Sequence, residues 1–395
     1  MKIKMKYIML FCLGVWISCN LERIEEGTSV GGLGAKFSVK LGGGKDDMAH
    51  DILVTKNGAY LITGESESFV TSNKQAYLVK IDVNGKFLKE KAYGGAFSDE
   101  AHSALETSDG GFIICGSYGR SNGRSDVYIL RVNSDLDTLW TKVVGSVDST
   151  ERGVGVVLFN DTSFVLGYTS QPPTGSNTVI INARYSINGK LLSTNRIFKV
   201  ESVYLYRMKK TVDNKIVFIG GISTNDYCSY ILKCKEDGSY QWEQNFCTGS
   251  NFIPGYGVTE MNNGDLILAG STLLNNDSHN FNLAAYNDIG GNLWNYNWGG
   301  ANADELWSIV KSNDNEIVVA GYTQSFSAMP EVYISKRRLS DRSKIWENHF
   351  SNITVNLQDM KATKDGGYII VAEENSFIGN SEILVFKMDS QGNYQ

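Results

Sequence analysis

The sequence has little proline and histidine and no extended basic run. Four prolines and four histidines stand against 41 glycines, 20 tyrosines and 17 phenylalanines. This composition argues against a disordered chain or a helical bundle. It favours many short, aromatic-rich strands joined by tight glycine turns. The sequence therefore predicts an all-β protein.

An excess of basic charge is also missing. The chain has 37 basic and 43 acidic residues, which gives a formal net charge of −6. Nucleic-acid binding needs a basic face that displaces counterions, so we expect no nucleic-acid partner. A cluster of Lys and Arg that would bind an anionic membrane surface is absent as well.

Several catalytic and metal-binding motifs do not occur in the sequence. It has no HExxH, no DxDxDG calcium loop, no glycine-rich phosphate loop before a helix and no GxSxG. No nucleophile can be paired with a plausible base. The sequence thus predicts a protein without catalytic activity, cofactor or bound metal.

The N-terminus carries an export signal. A basic stretch, MKIKMK, precedes the apolar YIMLFCLGVWI, which is too short to span a bilayer, and Ser18 and Cys19 follow. A small residue before cysteine at this place resembles the lipobox of bacterial lipoproteins, which implies that Cys19 is lipidated. The alternative is a secreted protein cleaved nearby. We predict a signal peptide at 1–18, a lipidated tether at 19–34 and a folded domain at 35–395.

One pattern recurs seven times along the domain. In each unit an apolar strand, a turn and a second apolar strand are followed by a loop and two further strands. The second strands end at Gly64, Gly116, Gly167, Gly220, Gly270, Gly321 and Ala372. Asn-Gly and Asp-Gly pairs predict two-residue hairpin turns within the units. A period of about fifty residues with four strands predicts a seven-bladed β-propeller.

The seventh unit lacks its fourth strand. Residues 35–43 match the fourth-strand endings at 91–95 and 297–300, so we expect an N-terminal strand to complete the last blade. The fourth strands of four units contain a tryptophan that we expect to pack between neighbouring blades. These are Trp140, Trp242, Trp294 and Trp346.

The units share an ordered pattern. It begins with DGG(Y/F) and an apolar strand that ends in Gly, continues with YL.K, and ends with G and W. The units resemble the repeats of Bacteroidetes surface-lipoprotein propellers. The resemblance covers residues 35–395 and is weaker in the third and fourth units, which lack the glycine turn. It implies a cell-envelope location and a scaffold, rather than a particular activity.

The loops that follow the second strands are longer than the turns, and we expect them on the face turned away from the membrane. Aromatic residues in these loops suit sugar or peptide surfaces. The candidate ligand-binding residues are Phe69, Tyr118, Tyr168, Tyr322, Phe326 and Phe377. Alternatively, these rings only cap the ends of the blades.

Acidic residues recur before the first strand of several units. The candidate residues at the channel mouth are Asp47, His50, Glu100, His102, Glu151 and Glu305. Paired carboxylates suit a glycosidase or a calcium site, but one pair per unit is more typical of a hydrogen bond between blades. We expect His50 and His102 to be isolated, which makes a poor metal site.

Two cysteines are predicted to form a disulfide. A two-residue turn at Asp237-Gly238 would place Cys228 directly opposite Cys247 and Cys234 opposite Gln241. An exported protein meets conditions in which a disulfide persists. Cys115 and Cys234 are then expected to be buried thiols.

These observations predict a lipoprotein of the outer membrane or cell surface, held by its N-terminal lipid. Its propeller would bind a glycan, a peptide or a partner protein on the long-loop face. One alternative is a non-catalytic structural subunit of a cell-envelope assembly. Another is a polysaccharide hydrolase that uses carboxylates such as Asp47 and Glu100.

Overall fold

The computed structural model describes residues 35–69, 73–175, 177–223, 227–246, 256–273, 278–313, 315–327, 330–350, 355–375 and 380–394. The described residues form β-strands and turns, and no helix among them could span a membrane. The predicted signal peptide and tether, with Cys19, lie outside the described residues and stay predictions.

The strands form seven antiparallel four-stranded sheets, which confirms the seven-bladed propeller. The first three blades comprise β2 (Asp47–Val54), β3 (Tyr60–Ser66), β4 (Gln75–Ile81) and β5 (Phe87–Tyr93); β6 (Asp99–Glu106), β7 (Phe112–Gly119), β8 (Ser125–Val132) and β9 (Thr138–Val144); and β10 (Thr150–Asn160), β11 (Ser163–Gln171), β12 (Thr178–Ser186) and β13 (Leu191–Lys199).

The next three blades follow the same order. They comprise β14 (Ser202–Lys210), β15 (Ile216–Ser223), β16 (Tyr227–Cys234) and β17 (Tyr240–Phe246); β18 (Gly257–Glu260), β19 (Leu266–Leu273), β20 (His279–Tyr286) and β21 (Asn292–Trp298); and β22 (Asp304–Asn313), β23 (Glu316–Thr323), β24 (Glu331–Arg338) and β25 (Lys344–Phe350).

The seventh blade combines both ends of the described chain. It contains β26 (Val355–Ala362), β27 (Tyr368–Asn375), β28 (Ser381–Met388) and, on its outer edge, β1 (Phe37–Leu41). β1 is antiparallel to β28, with Phe37 opposite Lys387 and Leu41 opposite Ile383. The predicted closure by the N-terminal strand is confirmed.

Burial differs between the strands of a blade. All seven residues of β3 are buried, whereas most residues of the outer strand β13 are exposed or half-buried. A strand covered on both faces needs a continuous apolar run, which explains the unbroken second-strand segments in the sequence. The hydrophobic core consists of separate clusters between neighbouring blades, such as the one that joins β1, β27 and β28 to the first blade.

The inner strands carry a β-bulge opposite the recurrent glycine. In the second blade the register shifts between Ala101 and Ser103, and Gly116 lies opposite Ala101. A Cβ built on Gly116 would stand 1.8 Å from the carbonyl oxygen of Glu100. The glycine therefore allows the bulge, and the extra residue, His102, is directed towards the propeller axis.

The glycine turns are longer than predicted. In the first blade Gly58 donates to the carbonyl of Thr55, and Thr55 donates to the carbonyl of Ala59. This pattern is a three-residue loop that ends in a glycine of positive φ, here 88°. The prediction of two-residue turns is wrong at these positions because the same Asn-Gly or Asp-Gly signal suits both turn types.

The DGG motif binds a buried cation on the third strand. Asp109 pairs with Arg131 at 2.6 Å, and Asp365 pairs with Lys387 at 2.8 Å, and both cations are almost fully buried. A Cβ on the second glycine of the motif, Gly111, would stand 2.3 Å from Arg131 Nη1. The motif is therefore explained by structure, without a bound ligand.

The recurrent tryptophans pack between blades, as predicted. Trp140 donates to the carbonyl of Ile187, and Trp242 donates to the carbonyl of Asp288, both in the next blade. Trp346 lies against Gly392 in the same way. Each ring lies against the turn between the third and fourth strands of the following blade.

Candidate binding cleft and central channel

The bulge residues line the central channel. His50, His102, Tyr206, Trp307 and Gln358 each occupy the bulge of their blade. Together with Tyr256, which precedes β18, they surround a cavity of about 170 Å³. We call this the upper cavity.

The upper cavity has an aromatic side and a histidine side. Tyr256 stacks on Trp307 with 4.1 Å between ring centroids and contacts Tyr206 at 5.2 Å. The rings of His50 and His102 lie 5.3 Å apart in an edge-to-face arrangement. The expectation that the two histidines are isolated is therefore wrong, because neighbouring blades place them side by side.

Glu100 joins the histidines. Its Oε2 atom lies 2.5 Å from Nε2 of His102, and Nδ1 of His102 lies 2.6 Å from the carbonyl oxygen of Gly153. Burial, together with the neighbouring His102, lowers the pKa of His50 to about 3. Burial and the charge of Arg152 lower the pKa of His102. We call His50, Glu100 and His102 the His–Glu cluster.

Two arginines border the same cavity. Arg207 crosses the channel from the fourth blade and donates to the carbonyls of His50, at 3.0 Å, and Gln358. Arg152 donates to the carbonyl of Leu205 at 3.0 Å. These bonds to backbone oxygens fix the guanidinium groups without neutralising their charge.

A second cavity of about 240 Å³ continues the channel towards the opposite face of the propeller. This face carries the short glycine turns, and we call it the short-turn face. Lys361 pairs with two acidic residues in this cavity, since its Nζ lies 3.0 Å from Asp51 Oδ1 and also contacts Asp359. Burial, with a further contribution from Asp359, raises the pKa of Asp51 to about 6. We call this second cavity the lower cavity; Arg207, Lys209 and Lys210 also line it and donate to backbone carbonyls.

A larger cleft of about 670 Å³ opens on the long-loop face above the second, third and fourth blades. Arg152 and Tyr206 line both the cleft and the upper cavity, so the cleft leads into the channel. Its lining includes Phe97, Glu100, Arg120, Arg124, Arg152, Gln171, Tyr204 and Tyr206. We call this the long-loop cleft.

The rim of the long-loop cleft is built on a tight turn. Between β7 and β8 the amide of Arg120 donates to Arg124, and that of Gly123 donates back to Arg120. The guanidinium of Arg120 binds both carboxylate oxygens of Asp126 and the carbonyl of Ser146. This connection was predicted to be a long loop, but its hydrogen bonds make it a rigid wall.

The predicted ligand-binding aromatics do not form one site. Phe69 and Phe326 are exposed, at 44% and 52%, but they lie on the first and sixth blades. Tyr118 and Tyr322 are half-buried, and Tyr322 donates to Glu305 at 2.8 Å. Tyr168, 8% exposed, belongs to the core between the second and third blades. Phe377 lies outside the described residues, and none of the other five lines the long-loop cleft.

The predicted channel-mouth residues divide into two groups. His50, Glu100 and His102 lie together at the channel. Asp47 is buried and accepts from the amide of Gly43 at 2.6 Å and the hydroxyl of Ser68 at 2.8 Å. Buried Asp99, on the equivalent position of the second blade, accepts from Gly95 and Gly119.

Glu151 also lies away from the channel, whereas Glu305 occupies in the sixth blade the position of Glu100 in the second. Glu151 is buried and accepts from the hydroxyl of Ser170 at 2.8 Å, while Glu305 is bound by Tyr322 and lies 3.3 Å from His279 Nδ1. The channel-mouth assignment is thus wrong for Asp47 and Glu151, while for Glu305 it stays a prediction. Because Asp47 faces a loop and not the channel, it does not form a carboxylate pair with Glu100 there.

Cys228 is disulfide-bonded, while Cys115 and Cys234 are buried free thiols. Cys247, the predicted partner of Cys228, lies outside the described residues, so the pairing stays a prediction. The adjacent ladder has Ser229 opposite Phe246, as the predicted register requires. Cys234 faces Tyr240 and not Gln241, because Gln241 is the extra residue of a bulge.

Sequence reasoning missed the arginines and tyrosines of the cleft. Arg152 occupies in the third blade the position of Glu100 in the second, and Tyr206 occupies the position of His102. Aligning the units on the recurrent glycine finds Tyr206, which comes 14 residues before Gly220 as His102 comes 14 residues before Gly116. The same alignment places Glu151 and not Arg152 at the position of Glu100, because the bulge of the third blade is shifted by one residue relative to Gly167. The sequence search instead followed residue types that recur between units.

Solved structures share this fold at low sequence identity. A protein of unknown function from Dyadobacter fermentans has a TM-score of 0.53 and 12% identity, with 89% of this chain and 97% of that chain covered. The WD40 domain of Neurospora crassa Pan2 has a TM-score of 0.51 and 9% identity, with 87% and 89% covered. Sqt1 from Chaetomium thermophilum has 0.51 and 10%, with 84% and 82% covered.

These similarities define the class of protein as a β-propeller and show the fold alone. No protein-family model matches the sequence, and no curated protein matches it either.

Proposed function

We propose that this protein is an exported, lipid-anchored binding protein whose long-loop cleft holds an anionic glycan. The observation that carries the proposal is the cleft itself. Its volume of about 670 Å³ falls in the range of small-ligand sites, which is roughly 300–1,000 Å³. A rigid propeller with an open cleft of this size suits binding more than passive assembly.

The charge of the cleft favours an anionic ligand. Arg120, Arg124 and Arg152 line it together with a single acidic residue, Glu100, in a chain of net charge −6. Arg120 is partly neutralised by Asp126, so Arg124 and Arg152 are the expected contacts for a carboxylate. Arginine binds such groups through two parallel hydrogen bonds.

The exposed rings favour a sugar. Phe97 and Tyr204 line the long-loop cleft and are 41% and 47% exposed, which leaves their faces open. An aromatic face offers an apolar surface to a sugar ring, while the amide of Gln171 and the hydroxyl of Thr150 offer hydrogen bonds. Rings and polar groups together fit a carboxylated oligosaccharide.

The proposed anchor is consistent with this orientation. β1 begins beside Gly85, in a turn of the short-turn face, so the segment before Phe37 reaches the propeller on that face. A lipid on Cys19 would then place the short-turn face towards the membrane and the long-loop cleft away from it. Metabolic labelling with a fatty-acid analogue should label the wild type and Cys12→Ser but not Cys19→Ser. Equal labelling of Cys19→Ser would contradict the anchor.

The binding proposal is tested with the full chain purified in detergent. A glycan array that includes uronic-acid oligosaccharides, neutral oligosaccharides and acidic peptides should give selective binding to the uronic-acid ligands. An Arg124→Ala, Tyr204→Ala double variant should bind at least ten-fold more weakly. The matched control, Arg338→Ala with Phe326→Ala, removes the same kinds of exposed residue outside the cleft and should bind as wild type.

Three results would overturn the binding proposal. Equal losses in the cleft variant and the control would place the site elsewhere. No binding by the wild type to any arrayed ligand would favour the structural subunit of an envelope assembly, and preferential binding of the acidic peptides would favour a peptide receptor.

A further inference from the structure

We propose that His50, Glu100 and His102 bind a divalent transition-metal ion of the Zn²⁺ class at the top of the central channel. The ligand atoms of the three side chains lie within 4.8 Å of one another. Two imidazoles and one carboxylate are a donor set that such ions prefer. The inference goes beyond glycan binding, since it needs no ligand in the long-loop cleft.

The hydrogen bonds of His102 orient it as a ligand. The carbonyl of Gly153 can only accept, so Nδ1 of His102 carries the hydrogen of that 2.6 Å bond. A backbone carbonyl that holds one ring nitrogen is the usual support of a metal-bound histidine. The other nitrogen, Nε2, faces the carboxylate of Glu100 at 2.5 Å. Two electron-rich atoms at this distance require a positive charge, which either a proton or a metal ion supplies.

His50 supplies the third donor. Within the part of the chain that the structure describes, its buried Nε2 atom has no hydrogen-bond partner. An unpaired buried nitrogen is costly, and coordination would satisfy it. His50 and His102 occupy the same bulge in adjacent blades, so the propeller repeat itself brings the two rings together.

The residues around the His–Glu cluster indicate what would fill the remaining coordination positions of the ion. Three protein ligands leave at least one coordination position free, and both histidines line the upper cavity. Arg152 and Arg207 line this cavity too, and their charges oppose a bare cation. We therefore expect the free position to carry an anion, such as a carboxylate that enters from the long-loop cleft. Coordination requires Nε2 and Oε2 to separate to about 3.3 Å, a small movement of Glu100.

Metal titration of the full chain tests the site. Chelator-treated protein in detergent is titrated with Zn²⁺ by calorimetry and with Co²⁺ by visible absorption, without glycan. The wild type should bind one equivalent, with Co²⁺ absorption typical of nitrogen and oxygen ligands. His50→Gln and Glu100→Gln should each weaken binding at least ten-fold. His279→Gln is the matched control, because His279 also lies beside a glutamate, Glu305, and it should bind as wild type.

The outcomes separate the possibilities. No saturable uptake by the wild type would mean that a proton holds the His–Glu cluster, and equal affinities in all variants would mean that the ion binds elsewhere. Either result would overturn the proposal. Thermal unfolding of the metal-free variants shows whether each is folded, and Glu100→Gln decides the question if His50→Gln is not. Glycan binding is measured separately, so failure of the metal site leaves the function of the long-loop cleft open to its own test.

Discussion

The ring of Phe37 lies against Gly85 where, in another blade, Trp140 lies against Gly189. A Cβ built on Gly85 would stand 2.5 Å from Cδ2 of Phe37, and one on Gly189 would stand 3.3 Å from Cζ2 of Trp140. Both rings occupy the outer strand and pack against the following blade. Phe37 therefore packs the closing strand against the following blade, as tryptophan does on the outer strands of other blades.

Phe37→Ala should destabilise the propeller. Phe37 is 4% exposed, and its removal leaves a cavity between the last and first blades, so we expect a loss of about 3–5 kcal/mol in the free energy of unfolding. Urea unfolding of the full chain measures it. Phe198→Ala, on an outer strand where the ring is 73% exposed, is the control and should have little effect. Equal stability of both variants would show that the ring of Phe37 does not secure the closure.

Asp365→Asn should destabilise the protein at neutral pH and reduce its sensitivity to acid. Burial opposes ionisation of Asp365, but the hydrogen bonds from Lys387, Thr363 and the amide of Gly367, together with the charge of Lys387, outweigh burial and hold its pKa below the usual value. The unfolded chain therefore binds the proton more readily, and the stabilisation present above about pH 4 is lost as the pH falls. The variant leaves a buried, unpaired Lys387, which costs about 3–5 kcal/mol.

Urea unfolding at pH 7, 5 and 3 tests this prediction. The stability of the wild type and Asp365→Asn should converge as the pH falls below 4. Asp341→Asn, which changes an exposed turn aspartate, should follow the wild type at every pH. A constant difference between wild type and Asp365→Asn across the series would contradict the pairing with Lys387.

Gly321→Ala should be more disruptive than its position in a regular strand suggests. The added Cβ would stand 1.8 Å from the carbonyl oxygen of Glu305, so the inner strand of the sixth blade must move. Overpacking of this kind costs about 1–3 kcal/mol. The equivalent residue of the seventh blade is already alanine, and Ala372→Gly should change stability by less than about 1 kcal/mol. Thermal unfolding compares the two variants, and equal effects would contradict the role of the glycine.

The predicted disulfide is open to direct chemical test. Mass spectrometry of unreduced peptides, after alkylation of the denatured protein, should find Cys228 linked to Cys247. Cys115 and Cys234 should both be alkylated under the same conditions, because they are free thiols. Alkylated Cys247 without prior reduction would exclude the pairing.

The propeller could be predicted because its determinants are local and repeated. The glycine of each second strand recurs at nearly constant spacing, and residues 35–43 match other fourth strands. The geometry of the turns was harder to predict from the sequence. Asp237-Gly238 fits a two-residue loop or a three-residue loop, and the structure has the longer loop followed by a bulge at Gln241. The loop is one residue longer than predicted, and the bulge shifts the register by one residue in the opposite direction. The two shifts cancel, so the register near Cys228 is the one predicted for a two-residue loop.

The candidate sites were harder to predict from the sequence, because they depend on the direction in which each side chain points within its blade. Tyr168 and Tyr206 are both tyrosines of third- or fourth-blade strands, but one enters the core and the other the channel. Tyr206 enters the channel because it is the extra residue of a bulge, whereas Tyr168 lies on a second strand in regular register with the third. The bulge is visible in the sequence only through the glycine on the neighbouring strand. His50 and His102 were found but judged isolated, since their proximity arises from the ring of blades.

The pairing in the last blade also determines when the ring of blades can close during folding. Its ladder joins residue 37 to residue 387, a separation of 350 positions along the chain. The first strand to leave the ribosome has no partner until nearly the whole chain has been made, and six blades form only an open arc with unpaired edges. Completion is therefore the final event of folding. A chain whose ring cannot close early stays open while it is made, which agrees with the proposed export, since an exported chain crosses a membrane before it folds.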